Sequence, residues 1–420
     1  MADKDFNEMV EHVLETIRES DRLDDRDIEL LVQYNRRLRR QQSRVGVKRR
    51  LKNLKHLRLL AGHSQKYSPD ELPDPALADA LKDREAVGRF LDFIHATYSN
   101  EETNRDYRAA LRSFGEHATD GDISDPMDEI SATTSHDYQP MPDPAKMYRW
   151  EDHIQPMLNA ARYTRERALI AVAWDAGLRS GELYNLRIGD IADHKYGLSV
   201  TVDGKRGQHS VTLIPGVPYL KRWLENHPAP DDQTAPLWSD LDTNRAVSYK
   251  MKLKMLKKPA RDADMVPPSS ATPTRMRKSS ASYLASQGVN QAHLEDHHGW
   301  KRSSDAASHY ITVFADAGDR AIAKAHGVDV EPDENDPIAP IECPRCSRDT
   351  PRERGACVWC GQALAQETAR EVDHQRTEIM QSLAETTSDD VAQALMAVDD
   401  KLGGDALFSY EGAVDTPAGD

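Results

Sequence analysis

The chain is 420 residues long and carries 70 Asp and Glu against 55 Lys and Arg, a formal net charge of -15. That length allows two or three domains with cores of their own. The acidic balance excludes binding a polyanion by net charge alone, because displacing counterions from nucleic acid takes Lys and Arg.

Asp outnumbers Glu, Arg outnumbers Lys, and only six Phe accompany a mean hydropathy of -0.72. Short carboxylates over few large apolar groups suit a halophile, so partners are to be read from local charge. No stretch approaches the ~20 apolar residues that span a bilayer. The opening MADKDFNEMV has no basic segment leading into an apolar one, so the expectation is a cytoplasmic protein.

Residues 1–118 read as helices without strand signals. Apolar positions recur at helical spacing in Leu30, Leu31, Tyr34 and Leu38, then in Leu51, Leu54, Leu57 and Leu60. Val87, Phe90, Leu91 and Ile94 form a third set, and Tyr107, Leu111 and Phe114 a fourth. Overlapping the first two sets, Arg36, Arg37, Arg39, Arg40, Arg44, Lys48, Arg49, Arg50, Lys52, Lys55 and Arg58 crowd one region with no carboxylate among them. On helices, such a run either lines a surface that meets several DNA phosphates or is a solvated face. Its sign reversal within so acidic a chain favours DNA.

Residues 119–145 hold Asp, Ser, Thr, Pro and Gly without periodicity and read as a linker. From 146 to 330 the pattern is mixed. A long apolar helix through ARYTRERALIAVAWDAGL precedes two β-rich runs flanking Asp203–Gly207, a hairpin. Further helices are expected near 247–257, 277–287 and 303–312. Lys250, Lys252, Lys254, Lys257, Lys258 and Arg261 make a second basic run. Residues 331–341 read as another linker, 342–363 as a cysteine module, 364–403 as a helix and 404–420 as a disordered tail. No repeats occur. The fold class is mainly α with a small antiparallel β-sheet.

All four cysteines fall in CPRC (343–346) and CVWC (357–360). Two CxxC knuckles suit a four-thiolate zinc site formed by Cys343, Cys346, Cys357 and Cys360, with Gly361 at the tight turn. Disulfides or a redox CxxC are the alternatives, and both fit a reducing compartment poorly. A closed all-thiolate site is structural; DNA, a protein partner or the C-terminal helix is its candidate contact.

Cutting and rejoining DNA without a high-energy cofactor needs a nucleophile that stores the phosphodiester energy, and a Tyr hydroxyl can do so. The charged transition state needs paired, permanently charged arginines, and the departing oxygen needs an acid. GLRSGELYNLRIGDI offers Arg179 with Glu182 three residues on. VDGKRGQHSV offers Lys205, TPTRMRKSS offers Arg277, and GWKRSSDAASHYI offers Trp300 and Tyr310.

GLRSGEL with LRIGDI, MRKSSASYLASQG and HHGW…SHY, in that order, resemble the three motif boxes of the tyrosine recombinase (phage-integrase-like) family. TNRDYRAALRSF is similar to the last helix of the family's core-binding domain, so the resemblance spans roughly 25–320.

It implies a helical core-binding domain at 1–118 and a catalytic domain at 146–330, with Arg179 and Arg277 clamping the scissile phosphate. Lys205 would protonate the 5′ oxygen, Trp300 would donate one hydrogen bond to the phosphate, and Tyr310 would attack. It implies no catalytic metal or nucleotide, double-stranded DNA as partner, and a homotetramer on DNA. The second box departs at Thr274, where the family usually has His; Thr is a poor base, leaving His297, His298, His309 or water to take the Tyr310 proton. A catalytically decayed DNA-binding protein is therefore the alternative, and a topoisomerase-like nicking enzyme a weaker third.

Overall fold

The computed structural model describes residues 2–41, 44–62, 76–118, 123–138, 141, 143–204, 207–265, 270–303, 307–310, 319–320, 322–323, 325–328 and 337–385. It forms two compact units, Met1–Pro140 and Met141–Asp420. The expected disordered tail lies outside the described residues, as do 386–403 of the expected C-terminal helix.

The first unit is helical: α1 (Ala2–Arg18), α2 (Asp25–Arg40), α3 (Val47–Ala61), α4 (Leu77–Ala80), α5 (Arg84–Thr97), α6 (Glu101–His117) and α7 (Asp125–Asp128). Leu51, Leu54, Leu57 and Leu60 recur every third residue of α3, so they share a stripe and are buried together. Tyr34 of α2 sits in the same core, its hydroxyl shared with Ser113 at 3.0 Å and accepting from Asn53 at 2.9 Å. Buried Asp27 accepts from the backbone N–H groups of Leu77 and Ala78 at 2.8 Å each, capping α4.

The segment read as a linker is partly structured. Met127 and Ile130 are buried, and Arg112 of α6 grips Asp128. Two hydrophobic residues at turn spacing sufficed to fix a stretch without helical periodicity.

The second unit is mixed. After a π-helical turn (Trp150–Ile154) come α8 (Gln155–Ala160), α9 (Thr164–Asp175) and α10 (Ser180–Tyr184). Every residue of α9 from Ala168 to Asp175 is buried, so it is apolar all round and lies at the centre of the core. Strands β1 (Ile191–His194), β2 (Gly197–Gly204) and β3 (Gly207–Leu213) form an antiparallel sheet in that order. The register runs Val200↔Val211, Val202↔His209 and Gly204↔Gly207. Leu198, Val200 and Val202 face the core opposite Val211 and Leu213.

Helices α11 (Val217–Glu225), α12 (Tyr249–Asp262), α13 (Pro273–Ser286) and α14 (Gln291–His297) follow. The short strands β4 (Ile341–Glu342) and β5 (Asp349–Thr350) and the helix α15 (Gln366–Glu385) complete the order. The architecture is mainly α with a small antiparallel sheet, and the expected hairpin is present; strand β1 had no separate sequence signal. Among the described residues no helix is long and apolar enough to cross a membrane.

Candidate active site

Arg179 precedes the short helix α10 as its N-cap, and Glu182, one turn on, folds back to it. The Glu182 carboxylate accepts from the Arg179 backbone N–H at 2.8 Å and from its Nη1 at 2.9 Å. Glu182 itself is buried, so this pair holds the guanidinium in one orientation while Arg179 keeps a side-chain exposure of 32%. The other arm of Arg179, Nη2, donates to the Gly299 carbonyl at 3.0 Å.

Arg277 lies on α13 and is only 8% exposed. Its Nη1 donates to Gly177 O at 2.9 Å and its Nη2 to His298 O at 2.5 Å. The two guanidinium groups therefore hang from consecutive carbonyls, those of His298 and Gly299. Burial first, and then the like charge of Arg179, lowers the Arg277 pKa to about 10. Two cations held this close by carbonyls form a place where an anion is favoured.

Trp300 covers Arg277. Its ring lies 5.2 Å from the Arg277 guanidinium, a cation–π contact, and stacks on Tyr310 at 5.7 Å with an interplanar angle of 13°. Tyr310 is 7% exposed and packs with Ala281, Ala285 and Leu294. Burial pushes its phenol up to about 12, against the pull of Arg277 and then Arg275. Arg179, Arg277, Trp300 and Tyr310 are thus brought together from elements 131 residues apart in the chain, as the ends Arg179 and Tyr310 show.

Thr274 sits exposed in the first turn of α13. Lys205 lies outside the described residues, between the paired Gly204 and Gly207. His298 is buried and His297 half-buried, and desolvation holds both below the ordinary histidine range, His297 at about 4. His297 Nε2 lies 3.2 Å from the Asp175 carbonyl, so it serves the fold. His309 is half-buried on the helical segment 307–310, within the helix expected near 303–312.

Two residues escaped sequence reasoning. His209 of β3 stands against Gly299, and burial, opposed by Glu182 and reinforced by Arg179 and Arg277, lowers its pKa. The inward alternation of β3 (209, 211, 213) was the available signal, because it sets a histidine on the core face. Arg275 was hidden in the RMRK run beside Arg277.

In the first unit, Arg36, Arg39, Arg40, Arg44, Lys48, Arg49, Lys52 and Lys55 are exposed. Arg50 is not: at 4% exposure it donates to Asn7 at 2.8 Å and belongs to the core. Arg37 donates to the His117 carbonyl at 3.0 Å, and Lys52 pairs with Asp106 at 2.6 Å. In the second basic run Lys252 is buried, its ammonium capping the Tyr184 carbonyl at 2.7 Å. Helix periodicity points these cations inward whatever the local charge density.

The four cysteine sulfurs lie within 4.8 Å of one another, and the pairs Cys343–Cys360 and Cys346–Cys357 are each 3.6 Å apart. A tetrahedral ion with ~2.3 Å bonds to sulfur sets its ligands roughly 3.7 Å apart, so the cluster fits a four-thiolate metal. Both knuckles turn through left-handed residues, Ser347 at φ 55° and Gly361 at φ 71°.

The module is docked on α11. Arg222 donates to Val358 O at 2.8 Å and lies 5.5 Å from the Trp359 ring. Tyr219 donates to Glu353 at 2.5 Å, and Lys221 meets Asp349 at 3.1 Å.

A mainly helical domain with a small sheet, a paired-arginine anion site and a tyrosine stacked beside it is the class that fold and site define. Residues 150–316 match the model of the phage integrase family. A tyrosine recombinase of Synechocystis sp. is 29% identical over 100 residues, 24% of this chain and 31% of that protein's own length. Among solved structures, a lambda integrase dimer bound to a COC′ core site is 16% identical, covering 67% of this chain and 76% of that one, with a TM-score of 0.48. The XerH recombinase bound to a palindromic difH substrate, in its post-cleavage complex, is 15% identical over 77% of this chain and 97% of that one, at a TM-score of 0.46.

Proposed function

We propose that the chain is a site-specific DNA recombinase that cuts and rejoins DNA through a 3′-phosphotyrosyl intermediate. The observation that carries this reading is the suspension of Arg179 and Arg277 from the neighbouring carbonyls of Gly299 and His298, with Tyr310 stacked on the Trp300 that covers Arg277.

The phosphodiester occupies the space between the two guanidinium groups, whose fixed charge stabilises the added negative charge of the five-coordinate transition state. The Tyr310 oxygen gives its proton to water and forms a bond to phosphorus as the bond to the 5′ oxygen breaks, and Lys205 gives that oxygen a proton. No net energy is lost, since one phosphodiester replaces another. Attack by a second strand's 5′ hydroxyl runs the step backwards and frees Tyr310. The positive potential of Arg277, and behind it Arg275, favours the phenolate against the cost of burial.

The exposed cations of α2, α3 and the turn between them, from Arg36 to Lys55 without Arg37 and Arg50, line the first unit's DNA-facing surface. Double-stranded DNA is the partner, and a homotetramer assembles on it. The cysteine module binds zinc through Cys343, Cys346, Cys357 and Cys360; the ion supplies a structural cross-link and no chemistry.

A second reading, a DNA-binding protein whose catalysis has decayed, is favoured by the exposure of Thr274 and the burial of Tyr310. A nicked suicide duplex, carrying a site selected by the full chain from a random-sequence pool, separates the two. Recombination chemistry yields a covalent protein–DNA adduct that is lost in Tyr310→Phe, Arg179→Ala and Arg277→Ala. Specific binding without an adduct supports decay. Plasmid relaxation without site preference would instead mark a topoisomerase-like enzyme.

A further inference from the structure

His209 is a polar residue at an inward-facing position of β3, partnered across the hairpin by Val202. Its ring does not merely fill the core. A methyl group on Gly299 would lie 2.8 Å from both Cε1 and Nε2 of His209, nearer than atoms approach without something shifting. Gly299 also has φ +57°, where L side chains are strained. A second glycine brings the hairpin equally close to the clamp: a methyl on Gly204 would lie 3.0 Å from Glu182 Oε1 and 3.5 Å from His209 Cε1. The hairpin thus touches Glu182, which orients Arg179, and Gly299, whose carbonyl Arg179 holds.

We infer that His209 is a positioning residue for the anion clamp, its imidazole seated on Gly299 so that the His298 and Gly299 carbonyls hold Arg277 and Arg179 at one separation. This inference rests on the recombinase reading for its purpose, but the clamp itself binds an anion whether or not Tyr310 reacts. The ring acts here by shape. Its Nε2 is buried and no hydrogen bond engages it, so a planar group of similar size serves in its place. The charged groups around the ring are Glu182 and Arg179 at the α10 side and Arg277 from α13. A neutral ring avoids placing a third cation between the arginines.

The test uses the full chain and inorganic phosphate, followed by calorimetry at the site that Arg277→Met abolishes. His209→Ala is expected to weaken phosphate there about tenfold by loosening the clamp, with the melting temperature unchanged. DNA affinity, spread over many phosphates, moves less than about threefold, whereas adduct formation at saturating DNA slows by the same factor as phosphate binding weakens. His209→Gln, a planar side chain, retains most of the affinity.

Gly299→Ala weakens phosphate in the native background. It adds less in His209→Ala, because removing the ring makes room for the methyl group and leaves only the backbone strain at φ +57°. Unchanged phosphate affinity in both His209 variants overturns the inference, as do strictly additive losses in the double variant. If phosphate binding responds as expected while the native chain forms no adduct, the recombinase reading alone falls.

Discussion

Asp175 ends α9 buried, and its Oδ2 accepts from the backbone N–H groups of Ile214 at 2.7 Å and Gly216 at 2.9 Å. Desolvation raises its pKa to about 7. His297, which leans on the Asp175 carbonyl, is driven the other way, to about 4. Between pH 4 and 7 the unfolded Asp175 is ionised while the folded one holds its proton. That contribution to stability therefore falls as pH rises, by at most about 4 kcal/mol at ~1.4 kcal/mol per pH unit.

The unfolded His297 is protonated below about 6.5 while the folded one is neutral. Its contribution grows as pH rises from 4 to 6.5, by at most roughly 3 kcal/mol. The two nearly offset each other in the native chain, where buried His298, also held below the ordinary histidine range, adds a rise of its own. Asp175→Asn removes the first and unmasks the second: stability of the second unit should then climb from pH 4.5 to 6.5.

At pH 8 the variant should be more stable than the native chain by roughly 1–3 kcal/mol, once the cost of a buried amide N–H₂ without an acceptor is subtracted. All six Trp lie at or beyond Trp150, so urea unfolding followed by tryptophan fluorescence reports this unit alone. A variant less stable at pH 8 with an unchanged pH profile would refute the reasoning.

Glu182→Gln keeps an acceptor for the Arg179 N–H but removes the buried charge that orients its guanidinium. Single-turnover cleavage should slow roughly 10- to 100-fold while filter binding barely changes. Replacing Arg36, Arg39 and Arg49 together with Ala should flatten the plot of log affinity against log salt by about 0.9 for each phosphate left without its cation. Arg50→Ala should leave that slope alone and destabilise the first unit by about 1–3 kcal/mol, read by circular dichroism. Stripping the metal with a chelator, or Cys343→Ser, should release the module from α11. Proteolysis within 337–365 then accelerates at least about tenfold while the rest of the second unit stays folded.

What could be read from the sequence was local. The spacing of Leu51, Leu54, Leu57 and Leu60 gave a helix and its buried face, and the alternation around Asp203–Gly207 gave the hairpin, because both depend on neighbours a few residues away. The CxxC pairs likewise carried their own geometry. The Arg179–Glu182 pair was legible for the same reason: three residues separate them on one helical turn.

What depended on distant partners was not legible. Nothing near His209 announces Gly299, ninety residues on, and nothing near Arg222 announces Trp359. Charge density pointed to Arg50 and Lys252 as surface cations, yet both turn inward to partners supplied by Asn7 and the Tyr184 carbonyl. The stretch before residue 140 read as a linker because Met127 and Ile130 are too few to make a period, although they are enough to pack.

The central claim is that one phosphorus meets both guanidinium groups and the Tyr310 oxygen. Digesting the protein after reaction with the suicide duplex and locating the nucleotide-bearing peptide by mass spectrometry puts it to the most direct test. A single modified peptide is expected, with the nucleotide on Tyr310. Modification of another residue, or DNA cleaved with no peptide carrying nucleotide, would contradict it.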